Sequence, residues 1–267
     1  DVYHDIPNNL QQEIYTIPGL QVFKNPGNTY NHIQLNLWDP NDLNRPHPIL
    51  SDKRVRQALD YAFPRETIVQ TILGNLGYPA YANVPPISWA FNRRVAQPRF
   101  DPGKARQLLE EAGWAMGDDG FRYKDGRKLQ LTLHTNAGNK SREAVSLVCQ
   151  EYWRQIGVDL ILRFTDFASL QTEIMANRRF DLLMVAWIAK DDPGYYWLWH
   201  SKQIPTAENR EGQNYVGYMN PEMDKLIEDG LKALDREALT ELYGRMQEIL
   251  AEDIPYIFIN FYAKVDG

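Results

Sequence analysis

Residues 129–187 alternate between two periods, and that alternation restricts the fold more than anything else in the chain. Residues 129–135 (LQLTLHT) and 158–164 (VDLILRF) read as strands. Between them, residues 141–156 carry a helical apolar stripe in Val145, Val148, Cys149, Tyr152 and Ile156, and Asp166 then opens a second helix through Ala176. Residues 180–187 (FDLLMVAW) form a near-continuous apolar run, the pattern of a strand buried on both faces. Strand, helix, strand, helix, strand in this order implies right-handed crossovers and a largely parallel sheet. The expectation is an α/β fold with Asn136, Thr165 and Trp187 along one rim of the sheet, the end of the strands where ligands bind in open α/β sheets.

The segment after that apolar run is the leading site candidate. Lys190, Asp191 and Asp192 stand beside Trp187, and Tyr195, Tyr196, Trp197 and Trp199 follow directly. Aromatic walls with a few fixed charges suit an amphipathic small ligand. Trp187, Lys190, Asp191, Asp192 and Tyr195 are therefore candidate ligand-binding residues, joined by Asn136 from the polar loop after the first strand. The same residues also suit a short helix with Tyr195, Trp197 and Trp199 in the core and with Asp191 and Asp192 as turn or cap residues before Pro193.

The rest of the chain reads as a single α/β unit over residues 29–267, preceded by a connecting segment, residues 1–28, that Pro7, Pro18 and Pro26 break up. Residues 30–38 alternate, with His32, Gln34 and Asn36 on one face and Ile33, Leu35 and Leu37 on the other. This predicts a strand with one buried face and a half-exposed His32. Ser51 is expected to cap a helix with Val55, Ala58, Leu59 and Ala62 inward and Lys53, Arg54 and Arg56 around them, and Pro64 to begin a second. Residues 74–100 are a long irregular loop rich in proline and aromatics, a type that often serves function or covers a site. Asp101 and Pro102 open a third helix, residues 114–128 read as a hairpin, residues 221–234 and 236–251 as helices, and residues 256–263 (YIFINFYA) as a further strand.

Composition removes several function classes. The 267 residues can bury a sizeable core without disulfides or metal. With 29 basic against 35 acidic residues and no basic block, nucleic acid is not an expected partner. No window approaches 18 apolar residues, and no signal-peptide pattern is present, so Asp1 reads as a processed end or as a boundary within a longer protein. Cys149, alone among apolar residues, is expected to be a buried structural thiol. There is no glycine-rich phosphate loop, HExxH or GxSxG, and the five histidines are scattered, so neither a cofactor nor a metal site is expected. Asp191 and Asp192 could be read as the acid and base of a hydrolase, but adjacent loop residues point in different directions and nothing in the sequence sets their carboxylate separation.

Three stretches resemble one family, the extracellular solute-binding proteins of family 5, which serve ABC importers of peptides, nickel and similar cargo. Residues 51–69 (SDKRVRQALDYAFPRETIV) resemble its D-x-R-V-R-x-A-L-x-x-A-I-D-R-x-x-I segment, through Asp52, Arg54, Val55, Arg56, Ala58, Leu59, Ala62, Arg65 and Ile68, and depart from it at Phe63 and Pro64. Residues 100–114 (FDPGKARQLLEEAGW) are similar to Y-D-P-x-K-A-x-x-L-L-x-x-A-G-[WY]. The third match pairs residues 131–158, ending in W-R-Q-I-G-V, with residues 180–193, which resemble F-D-x-x-x-x-x-W-x-x-D-x-x-D-P.

The resemblance implies a periplasmic-binding-protein-like type II lobe with a mixed, largely parallel sheet flanked by helices. It further implies that a missing second lobe closes over the ligand, that residues 1–28 lead in from that lobe, that the location is periplasmic or otherwise extracytoplasmic, and that a membrane-embedded ABC permease is the partner. Cargo would be peptide first, with nickel, opine or oligosaccharide as alternatives. In peptide-binding members the carboxylate of the W-x-x-D part meets the ligand's α-amino group. Here Trp187 matches, but Lys190 stands where that Asp is expected and the segment is a residue shorter before Asp192 and Pro193, so Asp191 takes the role only after a shift of the loop.

Overall fold

The computed structural model describes residues 17–74, 76–95, 100–193 and 195–266, so the first sixteen residues of the expected connecting segment lie outside the described residues. Among the described residues the strands are β1 (Phe23–Leu35), β2 (Trp38–Asp39), β3 (Asp42–Pro46), β4 (Gly77–Pro79), β5 (Ala115–Met116), β6 (Arg122–Lys124), β7 (Arg127–Lys128), β8 (Gln130–Asn136), β9 (Asp159–Thr165), β10 (Leu182–Ile188) and β11 (Tyr256–Asp266). The helices are α1 (Lys53–Tyr61), α2 (Arg65–Thr71), α3 (Pro102–Glu111), α4 (Lys140–Arg154), α5 (Phe167–Ser169, continued as π-helix over Leu170–Met175), α6 (Tyr195–Trp199), α7 (Pro221–Gly230) and α8 (Arg236–Asp253).

Six strands form the central sheet in the order β4-β11-β1-β10-β8-β9. The half read from the strand and helix alternation is parallel: Leu182 pairs with Leu133, and Leu133 with Leu162. The other half is antiparallel, with β1 between β10 (Ile33 opposite Met184) and β11 (Ile33 opposite Ile257), so the sheet is mixed. Successive side chains of β1 enter opposite cores. Ile33 and Leu35 join Leu59, Leu133, Trp153 and Met184 on one face, and Tyr30 joins Trp199, Met246 and Phe258 on the other. Trp153 is fully buried and its indole donates to the Leu59 carbonyl at 3.0 Å, which fixes α4 to α1 across the first core.

Two expectations change at this level. The polar face of β1 is buried: His32, Gln34 and Asn36 have no exposed surface. Gln34 Nε2 meets His32 Nε2 at 3.3 Å, while His32 Nδ1 and Gln34 Oε1 have no hydrogen-bond partner among the described residues. The His32 ring stacks on Tyr256 (4.6 Å between centroids) and faces Trp187 (6.5 Å), while Asn36 donates to the carbonyls of Arg178 and Phe180. The strand begins at Phe23 and pairs with β11 through residues 23–26. Finally, the cap of α1 is Asp52, which accepts from the Arg54 amide, and not Ser51.

Arg56 and Arg65, both part of the family-like segment, are inward-facing braces. Arg56 donates to the carbonyls of Leu50 (2.8 Å) and Asp253 (2.7 Å), tying the start of α1 to the end of α8. Arg65 pairs with the buried Asp60 carboxylate and donates to the Phe258 carbonyl at 2.6 Å. Cys149 is buried, as its apolar setting implied. No helix among the described residues is long and apolar enough to cross a membrane.

Candidate functional site

The exit of β10 is shaped by a bulge in β1. Pro26 lies opposite Ala263 and Tyr30 opposite Phe261, so β1 carries extra residues between them. Gly27 sits in this bulge, where a Cβ would lie 2.7 Å from the Tyr262 carbonyl, and the next carbonyl, of Asn28, accepts from the Ala189 amide at 2.7 Å. The chain leaving β10 is thereby fastened to β1 before it turns outward through residues 190–193.

A cavity of about 380 Å³ opens at this end of the sheet. Trp187 and Tyr30 line it together with Trp197, Leu198, Pro193 and Lys190, and Asn83 reaches it from the long loop after β4. The aromatic segment divides by helical spacing: Tyr195 and Trp199 turn into the core, whereas Trp197 is half-exposed beside the cavity. Asn83 is buried, and its Oδ1 has no hydrogen-bond partner among the described residues. A buried acceptor left unmatched costs about 1–3 kcal/mol, which a donor on a bound solute would offset.

The other expected site residues fall in different surroundings. Lys190 borders both this cavity and an adjoining one that Asp191 lines. Asp192 borders neither, and its Oδ1 accepts from the Tyr243 hydroxyl of α8 at 2.9 Å. The two carboxylates therefore do not face one cavity, as a hydrolytic acid and base would have to. Tyr195 packs against the Tyr243 ring at 5.2 Å and lines neither cavity, and burial raises its hydroxyl well above the ordinary value. Asn136 lies further along the rim, where its Oδ1 accepts from Arg142 at 2.5 Å. Arg142 also reaches Asn31, which donates to Asn260, so Asn136 belongs to a separate polar cluster. Burial lowers the pKa of Arg142, and this guanidinium lies beside polar amides.

Asn83 and Arg142 escaped the sequence reading. The signal for Arg142 was present, since a cation in the first turn of a helix opposes the helix dipole and so asks for another reason to be there. The signal for Asn83 was the length of its loop alone. Among the described residues no group of three or more His, Cys, Asp or Glu side chains is placed to hold a metal ion. His32 is held down to about 3 by burial and by the nearby Arg142 charge, so it is neutral at physiological pH.

The fold and sequence match known proteins. The oligopeptide-binding protein AppA of Bacillus subtilis is 36% identical over 222 residues, 82% of this chain and 40% of AppA. The structure of AppA in complex with a nonapeptide superimposes with a TM-score of 0.85 at 31% identity, covering 100% of this chain and 51% of that one. The oligopeptide-binding protein of Thermus thermophilus, complexed with a pentapeptide, gives a TM-score of 0.85 at 28% identity, covering 100% of this chain and 48% of that one. The chain thus spans about half the length of these relatives. The profile of the bacterial extracellular solute-binding proteins, family 5 Middle, covers residues 1–206, and the chain belongs to that family.

Proposed function

We propose that this chain is one lobe of a receptor that captures a peptide outside the cytoplasm and delivers it to a membrane-embedded ABC permease. The observation that carries this reading is the cavity at the exit of β10, which combines aromatic walls (Trp187, Tyr30, Trp197) with the unmatched Asn83 amide and the Lys190 cation. Such a mixture holds an amphipathic solute by area and fixes its orientation by a few polar groups. The relatives support the cargo class, since AppA is an oligopeptide-binding protein and two similar structures hold a nonapeptide and a pentapeptide.

In this reading residues 1–28 lead in from a second lobe, residues 29–267 make the lobe described here, and the two close over the ligand by hinge motion. Affinity comes from contacts that the closed form makes and the open form lacks. The working compartment is the periplasm or another extracytoplasmic space. Trp187, Lys190 and Asn83 touch the ligand, Asp191 stands on the neighbouring wall, and Asp192 holds the Tyr243 hydroxyl. No bond is made or broken.

The test is thermal unfolding of the full two-lobe protein against di- to pentapeptides. A ligand at about 100 times its Kd adds about 2.7 kcal/mol of stability, and Trp187→Ala should remove most of that shift. If only a nickel complex, an opine or an oligosaccharide raises the midpoint, the peptide assignment falls. If a peptide is cleaved, the receptor reading falls with it.

A further inference from the structure

Lys190 stands between the aromatic cavity and a second one of about 580 Å³. We propose that this second cavity is an anion subsite in which Lys190, Arg236 and Lys264 receive a carboxylate of the bound peptide, so that the cargo is selected for negative charge. The proposal rests on the receptor reading above and specifies the substrate class of the same site.

The first support is charge. The chain as a whole carries a net charge of −6, yet this cavity is lined by three cations and a single carboxylate, Asp191. Many surface cations of the molecule are matched to carboxylates, among them Lys53 with Glu252, Lys128 with Asp159 and Arg245 with Glu222. Among the described residues neither Lys190 nor Arg236 forms such a pair with a carboxylate within 4.0 Å. Like charges gathered in a recess raise the local concentration of an anion.

The second support is preorganisation. Trp89 carries the Arg236 guanidinium over its ring at 4.8 Å, and its indole N–H donates to the Asp191 carbonyl at 3.2 Å. One side chain therefore fixes both a cation of the cavity and the loop that bears Lys190. Arg236 is also the first residue of the 18-residue helix α8, whose N-terminus adds positive potential on the same side. The β1 bulge supplies the remaining wall through Gly27 and Asn28, and the Asn28 carbonyl already holds Ala189.

The third support is continuity. The two cavities share Ala189 and Lys190, so a peptide seated against Trp187 reaches the cations without leaving the sheet rim. A carboxylate here can be the peptide's C-terminus or an acidic side chain.

The experiment is isothermal titration of the full two-lobe protein with pentaalanine and its single-Glu and single-Gln derivatives, each as the free acid and the C-terminal amide. At least one carboxylate should strengthen binding about tenfold over its neutral counterpart, as charge-assisted hydrogen bonds do, and the gain should shrink with added salt. Loss on amidation identifies the C-terminus as the source, and loss on Glu to Gln exchange identifies a side chain. Arg236→Gln, at an exposed residue outside the aromatic cavity, should erase the preference while leaving the neutral peptide's affinity unchanged, and Lys190→Gln should erase the preference as well. Equal binding of charged and neutral peptides, or variants that weaken both alike, overturns the anion subsite and leaves the receptor intact. Binding of no peptide at all overturns the receptor reading and the subsite with it.

Discussion

Replacing His32 by phenylalanine should remove a pH dependence that this fold builds into its own stability. His32 has no exposed surface and stacks on Tyr256 beside Trp187. Burial, with the Arg142 charge as a second cause, holds its pKa down to about 3 against an ordinary 6.5. The unfolded chain takes up a proton as the pH falls through 6.5, and the folded chain does not until about 3. A folded-state value depressed in this way leaves stability intact above pH 6.5 and drains it as the pH falls below. One proton at about 1.4 kcal/mol per pH unit gives a loss of about 2 kcal/mol between pH 7.5 and 5. The assay is equilibrium urea unfolding at both pH values, followed by the fluorescence of the buried Trp153 and Trp199. Phenylalanine keeps a ring in the stack and cannot titrate, so its packing cost cancels between the two pH values. The other histidines, including His134, whose pKa burial also lowers, are common to both proteins. The native chain should lose about 2 kcal/mol more than His32→Phe over that window, and equal losses would refute the argument that His32 stays neutral.

Asp60→Asn should cost about 3–5 kcal/mol, because it leaves the Arg65 charge buried without its carboxylate. A fall in midpoint worth under about 1 kcal/mol would mean that the carbonyls of Ala80 and Phe258 suffice for Arg65. Gly217→Ala should cost at least about 2 kcal/mol, since Gly217 has φ +66° and an added Cβ would collide with Arg178 and Trp38. The Trp38 indole donates to the Gly217 carbonyl at 2.7 Å, so a urea midpoint unmoved by this change would show that the clamp carries no strain.

The parallel half of the sheet was legible because its strands and helices are consecutive, so local periodicity and short connections determine it. The antiparallel half left a weaker trace. Alternation in residues 30–38 reports which side chains share a face and says nothing of what covers that face. His32, Gln34 and Asn36 looked exposed because their partners, Tyr256, Trp187 and the carbonyls near residue 180, are remote in sequence. At the candidate site, Trp187 and Lys190 could be read from their place just after a buried strand. Asn83 and Trp89 come from the long loop after β4, and only the fold brings them there. Tyr195 and Trp197 were separable in principle, since two residues along a helix turn the side chain through about 200°.

The position of β11 has a consequence for biosynthesis. It is bonded on one edge to β4 and on the other to β1, yet it follows every other described strand in sequence. Asn31 and Asn260, which meet across this seam, are 229 residues apart. While the chain emerges from the ribosome, β1 can pair with β10 but keeps an open edge, and β4 has no partner. Open edges recruit foreign strands, and contacts this distant form slowly. The nascent lobe therefore passes through an interval in which its sheet is exposed along the middle, and a holding chaperone would act in that interval. A chain interrupted before Tyr256 would be left in that state, with a gap where the inserted strand belongs.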